Sequence, residues 1–323
     1  MWKLGDLEIN GKVILAPMAG FTSSGYRRFM KKFGVDISYS EMVSDMGLIY
    51  GNKETFTYLE SKEEERPLGI QLFGSTPENM AKAAKIVEKY TSLFDFFDIN
   101  AGCPVNKVTK SGAGSSLLKN PSVLADIVRA IKAVTDKPVT VKIRIGWDSK
   151  SINFMETIKL LEEAGVDAIA IHARTTKELY YGTPHYELLK DLQSKMSVPL
   201  IVSGNIFTLD DAIKAIEITG ATAVMVARGS IGNPRLISQI KTYFETGERL
   251  PNATLEEQKE YCLELARYLV EEKGEDTAMR VYRSMAPKFF SGFKDSKSIR
   301  SDLAQNMSTY QYLKDVLEAY KPE

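Results

Sequence analysis

Cysteine is nearly absent from this chain: two residues in 323, Cys103 and Cys262. A pair so far apart gives neither a disulfide framework nor the close spacing of a zinc site, so no metal is expected. A reducing cytoplasm is the compartment implied. Histidine is just as scarce, again two. Neither charge is in excess, since 42 Lys and Arg balance 42 Asp and Glu. Any nucleic-acid contact must then come from local patches, not a global field. Long hydrophobic runs are missing too. Nothing approaches the roughly 20 apolar residues of a membrane span, and MWKLGDLEING lacks the charged and apolar regions of a signal peptide.

What is present is repetition. Eight short apolar or β-branched runs recur: 12–17, 36–42, 68–74, 96–100, 139–146, 168–173, 199–204 and 223–229. Several are almost continuously apolar, as strands buried on both faces of a parallel sheet must be. Helical patterns lie between them. Thr76-Pro77 and Asn120-Pro121 read as an N-cap with proline at the first helical position, and Gly165 and Gly220 read as helix stops. Eight strand–helix units in about 245 residues predict an α/β (β/α)8 TIM barrel over 1–245. A doubly wound sheet is the rival. Beyond 245 no strand pattern remains. Thr254 and Glu257 form a capping box, Gly274 closes that helix, and 250–323 reads as a small all-helical domain.

In such barrels the chemistry sits at the carboxyl ends of the strands. There this sequence places Pro17, Met18 and Ala19, then Gln71, Asn100 and Cys103, then Lys142 and Arg144. His172 and Arg174, Ser203, Gly204 and Asn205, and Ala227 and Arg228 follow. Singly, each has an ordinary structural explanation: a lone cysteine is usually a small buried hydrophobe, and a lysine can snorkel to water. Cys262, between Tyr261 and Leu263, reads as packing. Together they converge on one face. Small residues in the last two loops suit an anion, and Arg228 can add a charge-assisted bond. The lack of a Walker or GxGxxG pattern favours a mononucleotide such as FMN. Lys142 would then stabilise a reduced, anionic flavin.

The segments APMAGFTSSGYRRF, INAGCPVNKVTKSGAGSSLLKNP, VKIRIGW, IHARTTKELYYGTPHY and GATAVMVARGSIGNP resemble the tRNA-dihydrouridine synthase family, most of all its bacterial B-type branch. The resemblance covers essentially the whole chain. It implies an FMN-dependent enzyme, driven by NADPH or NADH, that reduces the C5=C6 bond of D-loop uridines in tRNA. It implies flavin contacts from Pro17, Met18, Ala19, Gln71, Lys142, His172, Ser203, Gly204, Asn205, Ala227 and Arg228. Cys103 would be the catalytic acid, and Asn100 and Arg174 would face the uracil or its phosphate. Two departures stand out: Ser203-Gly204-Asn205 where the family usually has Asn-Gly-Asp, and Ala227-Arg228 where it has Gly-Arg.

The implied reaction moves a hydride from flavin N5 to uracil C6 and a proton from Cys103 to C5. A thiol with a reference pKa of about 8.5 is mostly protonated at neutral pH, which suits a general acid. Nearby lysines would oppose this by lowering that pKa, so the 103–114 loop is expected to order only when tRNA phosphates neutralise Lys107 and Lys110. Three basic clusters are candidates for tRNA contact: Arg27, Arg28, Lys31 and Lys32; Lys107, Lys110 and Lys119; and Lys288, Lys294, Lys297 and Arg300. The last is interleaved with Phe289, Phe290 and Phe293, which suits base stacking or a helix-pair core. The helical domain is the expected tRNA-binding unit of a monomer. A small-molecule FMN oxidoreductase and a non-catalytic tRNA-binding module are the alternatives.

Overall fold

The structure, a computed structural model, describes residues 1–322. Strands β1 (Trp2–Leu4) and β2 (Leu7–Ile9) make an antiparallel hairpin. Nine more follow: β3 (Val13–Leu15), β4 (Ser38–Tyr39), β5 (Val43–Ser44), β6 (Leu68–Phe73), β7 (Phe96–Ala101), β8 (Val139–Arg144), β9 (Ala168–His172), β10 (Leu200–Ser203) and β11 (Ala223–Val226). All pair in parallel, in the order β3-β11-β10-β9-β8-β7-β6-β4, with β5 also on β6. A parallel bridge between Ile14 and Ile37 closes the ring, where the Leu15 N–H donates to the Ile37 carbonyl at 3.0 Å. This is the expected eight-stave barrel.

Two staves differ from expectation. The run 36–42 is not one strand but β4 and β5, both on β6. Ser40 causes the break: its hydroxyl takes the Gln71 N–H at 3.0 Å that a continuing ladder would give to a carbonyl. The connection after β9 holds no α-helix. Two short 3₁₀ turns, Tyr186–Leu189 and Leu192–Lys195, take its place. Asp191, at φ 52°, separates them in left-handed backbone and stops either from growing.

Side-chain alternation divides the barrel interior by height. At the amino end Ile14, Ile37, Phe96, Ala168, Ile201 and Ala223 form an apolar floor, and the β1–β2 hairpin packs Trp2, Leu4, Leu7 and Ile9 against it. The outer core fills the space between strands and surrounding helices. Thr76 caps helix Pro77–Tyr90 as expected, and Gly165 and Gly220 end their helices in left-handed backbone. Asn120 does not cap: its Oδ1 accepts from the Ser122 hydroxyl instead.

Helices Leu255–Lys273, Glu275–Tyr282, Ser296–Gln305 and Tyr310–Ala319 form the C-terminal region, and Thr254 and Glu257 make the predicted capping box. This region docks on the barrel helix Ser24–Lys31. Arg28 pairs there with Glu64 and with Glu271 (2.9 Å), and Lys32 with Glu264. Arg27 is buried against Glu65 at 2.6 Å, and Lys31 donates to the Asp36 carbonyl. The first basic cluster is therefore an internal fastening, not an open RNA-binding patch. Phe289 and Phe290 are buried in the helical core, out of reach of a base. No described helix is long and apolar enough to cross a membrane.

Candidate active site

The upper inward positions of the barrel, with the loops above them, line a cavity of about 430 Å³. Pro17, Met18, Ala19, Gln71, Asn100, Cys103, Lys142, His172, Ser203, Gly204, Asn205, Ala227 and Arg228 all face it. The register explains the convergence: β7 sets Asn100 beside Lys142 of β8, and β8 sets Arg144 beside His172 of β9. Arg174 does not face the cavity. It is buried, and its guanidinium donates to the carbonyls of Tyr181 (2.9 Å) and Gly182 (2.5 Å) and to Asn205 Oδ1 (3.1 Å). Its N–H groups hold the loop after β9, which corrects the expectation of a substrate contact.

Cys103 sits in a braced turn. Asn100 Oδ1 accepts the N–H of Cys103 at 2.9 Å and of Gly102 at 3.2 Å. The Cys103 carbonyl accepts from the Ser115 N–H and hydroxyl at 3.0 and 2.9 Å. Gly114 must be glycine here: its φ is +59°, and a Cβ would lie 2.8 Å from the Cys103 carbonyl oxygen. The loop beyond folds into a short helix, Asn106–Thr109. Burial pushes the thiol's pKa up, outweighing the Val105 N–H, Lys142 and Arg144, which pull it down. The cations that act on the sulfur thus come from β8, not from Lys107 and Lys110.

Burial, reinforced by Arg144, pushes Lys142 down to about 8, with Asp98 opposing. Among the described residues its ammonium has no hydrogen-bond or ion-pair partner. His172 is held well below its ordinary pKa by burial and by Lys142, Arg144, Arg174 and Arg228, so it is neutral. Its Nε2 lies 3.3 Å from Arg174, which can only donate. Nε2 therefore accepts, and the proton sits on Nδ1.

Two residues were missed as site residues, Asp98 and Tyr180, and a third, Arg144, was placed at its strand end without a role. Arg144, two positions beyond Lys142 on the same inward face, donates to Gly102 O (2.9 Å), Thr175 O (2.8 Å) and Leu179 O (2.7 Å). It ties the Cys103 turn to the loop after β9. Asp98 lies beneath Gln71, which donates to it at 2.6 Å; burial pushes it up to about 6. The signal was an acid inside the apolar run FFDIN. Tyr180, half-exposed at the mouth between Arg144 (5.4 Å) and Arg228 (4.8 Å), left no periodic signal. A second, larger cleft of about 960 Å³ adjoins the cavity. It runs between the barrel loops and the helical region and shares Ala19, Phe21 and Met42 with the cavity.

Residues 14–322 match the family described as Dihydrouridine synthase (Dus). A probable tRNA-dihydrouridine synthase 1 of Synechocystis sp. is 34% identical over 98% of this chain and 88% of its own. The tRNA-dihydrouridine synthase B of Shewanella oneidensis is 32% identical over 94% of this chain and 93% of its own. Among solved structures, an old yellow enzyme homologue from Zymomonas mobilis matches with TM-score 0.53 at 13% identity, over 79% of this chain and 96% of its own. That likeness extends to the barrel fold alone. With the family match spanning barrel and helical region together, the chain belongs to the dihydrouridine synthase family.

Proposed function

We propose that this chain is an FMN-dependent, NADPH- or NADH-driven tRNA-dihydrouridine synthase that reduces the C5=C6 bond of D-loop uridines. The observation that carries the reading is a thiol kept protonated by burial, facing the same cavity as an unpaired lysine and a neutral histidine. Three features fit a flavin mononucleotide. Ser203 Oγ is buried without a hydrogen-bond partner, so a donor or acceptor is wanted there. Lys142 offers an unpaired cation. Gly229 lets its loop close on the one before it, since a Cβ would fall 2.0 Å from Ile206 O, and Arg228 stands beside it. Asn205, at φ 50°, accepts from Arg174 and Arg228 and so orients both guanidiniums.

When bound, the flavin supplies the hydride for uracil C6. The chain's part is to hold the ring and deliver the balancing proton. Cys103 Sγ–H gives its proton to C5, and the high thiol pKa keeps that proton in place until negative charge develops on the uracil. Lys142 holds a positive charge under the site. Neutral His172 can donate only from Nδ1. A base must leave its stack to enter so closed a cavity, at a cost of a few kcal/mol. The adjoining cleft, with Lys107 and Lys273 on its walls, offers room and charge for the flanking strand. Lys119, 3.6 Å over the Trp147 ring, adds a cation near the mouth loops.

The proposal assigns residues 1–245 to catalysis and 250–323 to tRNA binding by a cytoplasmic monomer. Mapping dihydrouridine by mass spectrometry in tRNA from a strain lacking this gene tests it. At least one D-loop dihydrouridine should disappear and return on complementation. An unchanged map in a strain with no second such enzyme refutes the reading.

A further inference from the structure

A chain of hydrogen bonds runs along the base of the cavity and converges on Asp98. The N–H groups of Cys103 and Gly102 donate to Asn100 Oδ1. Asn100 Nδ2 donates to Gln71 Oε1 at 2.8 Å. Gln71 Nε2 donates to Asp98 Oδ2 at 2.6 Å. From the other side the Thr140 hydroxyl donates to Asp98 Oδ1 at 2.5 Å. Asp98 is fully buried, Gln71 nearly so, and Asn100 only slightly exposed.

An amide side chain has no intrinsic direction, because its oxygen and nitrogen ends are nearly the same shape. Something must decide which end of Gln71 faces which neighbour. An ionised carboxylate only accepts, so Asp98 compels Gln71 to present its nitrogen. That leaves the Gln71 oxygen for Asn100, which turns the Asn100 oxygen toward the Cys103 turn. Reversing either amide would set oxygen against oxygen or nitrogen against N–H, each a buried polar group without a partner. We infer that Asp98 is a positioning residue, whose acceptor-only carboxylate fixes the Gln71 and Asn100 amides and through them the turn that aims Cys103. Its importance for turnover rests on the role proposed for Cys103; its effect on the turn does not.

The test uses the full-length chain and a charge-preserving exchange. Gln71→Glu sets two carboxylates against each other and breaks the chain. Adding Asp98→Asn restores it with the amide and the acid traded. The introduced amide nitrogen donates to the introduced carboxylate, and the introduced amide oxygen accepts from Thr140. The introduced carboxylate still accepts from Asn100. The readout is the rate at which Cys103 reacts with 4,4′-dithiodipyridine, located by peptide mass spectrometry. Cys262 is fully buried and hydrogen-bonded by Tyr282, so it serves as the silent internal reference.

At pH 7.5 the single variant should change the Cys103 rate by about fivefold or more, the size expected of one unsatisfied buried bond. The double variant should return to within about twofold of the unmodified chain, a coupling that independent damage cannot give. A double variant as perturbed as Gln71→Glu, or a single variant with no change, overturns the inference. If Gln71→Glu does not fold, recovery of both folding and thiol rate in the double variant supports it, and failure to recover overturns it. Turnover is not read, so the outcome is separate from whether the chain reduces uridine.

Discussion

The two ends of this barrel are built from the same strands and obey opposite rules. At the amino end the inward positions are Ile14, Ile37, Phe96, Ala168, Ile201 and Ala223, plugged by a hairpin. At the carboxyl end the inward positions are Gln71 of β6, Asn100 of β7, Lys142 of β8, His172 of β9 and Ser203 of β10. The apolar end gains from burying surface. The polar end has a buried carboxylate pushed up to about 6 and a buried ammonium pushed down to about 8, both shifted against their charged forms by desolvation. The floor therefore carries stability, and in the proposed function the mouth carries chemistry, so substitutions at the two ends should separate cleanly.

The sharpest separation is expected at the mouth. Cys103→Ala should lower uridine reduction about 10²–10⁴-fold, the usual worth of a general acid, while calorimetry finds the melting temperature nearly unchanged. Phe96→Ala inverts the pattern. It empties the floor beside Tyr39, its edge-on ring partner at 5.3 Å, and should cost about 3–5 kcal/mol in denaturant unfolding. Loss of activity at Phe96 without loss of stability would break the comparison.

Lys142 sharpens it through pH. Its folded value of about 8 lies below the unfolded lysine value of about 10.4, so the folded chain releases this proton first. The buried charge therefore costs stability at low pH, and that cost is relieved as pH rises above about 8. Affinity for an anionic ligand should run the other way. Fluorescence titration with FMN should weaken about tenfold between pH 7 and pH 9, and Lys142→Met should flatten that dependence. The smallest effect is expected at Ser203. Removing an unpartnered hydroxyl should leave the flavin-free chain unharmed or stabilise it by about 1 kcal/mol, and yet weaken FMN binding in the same titration.

The difference between the ends also decides how much was legible beforehand. Apolar runs and alternation gave the barrel, because a parallel stave buried on both faces has little choice of residue. Lys142 and His172 were legible because polar groups inside such runs are costly. Arg174 was misplaced because its loop follows no period; only the carbonyls of Tyr181 and Gly182 show where it is committed. Arg27 and Arg28 looked like a surface patch because their acidic partners lie about 36 to 243 positions away, beyond any local pattern. The split between β4 and β5 turns on one serine hydroxyl, which no propensity reveals. The connection after β9 failed as a helix for a backbone reason, left-handed Asp191.

In the proposed reaction the buried Cys103 thiol supplies the proton. That role is tested most directly by reducing the FMN-loaded Cys103→Ala protein anaerobically and mixing it with unmodified tRNA in a stopped-flow spectrometer. Reduction by NADPH should be normal, and flavin reoxidation should then be slowed at least a hundredfold against the unmodified enzyme. Reoxidation at the ordinary rate, with dihydrouridine formed in the tRNA, would contradict that role.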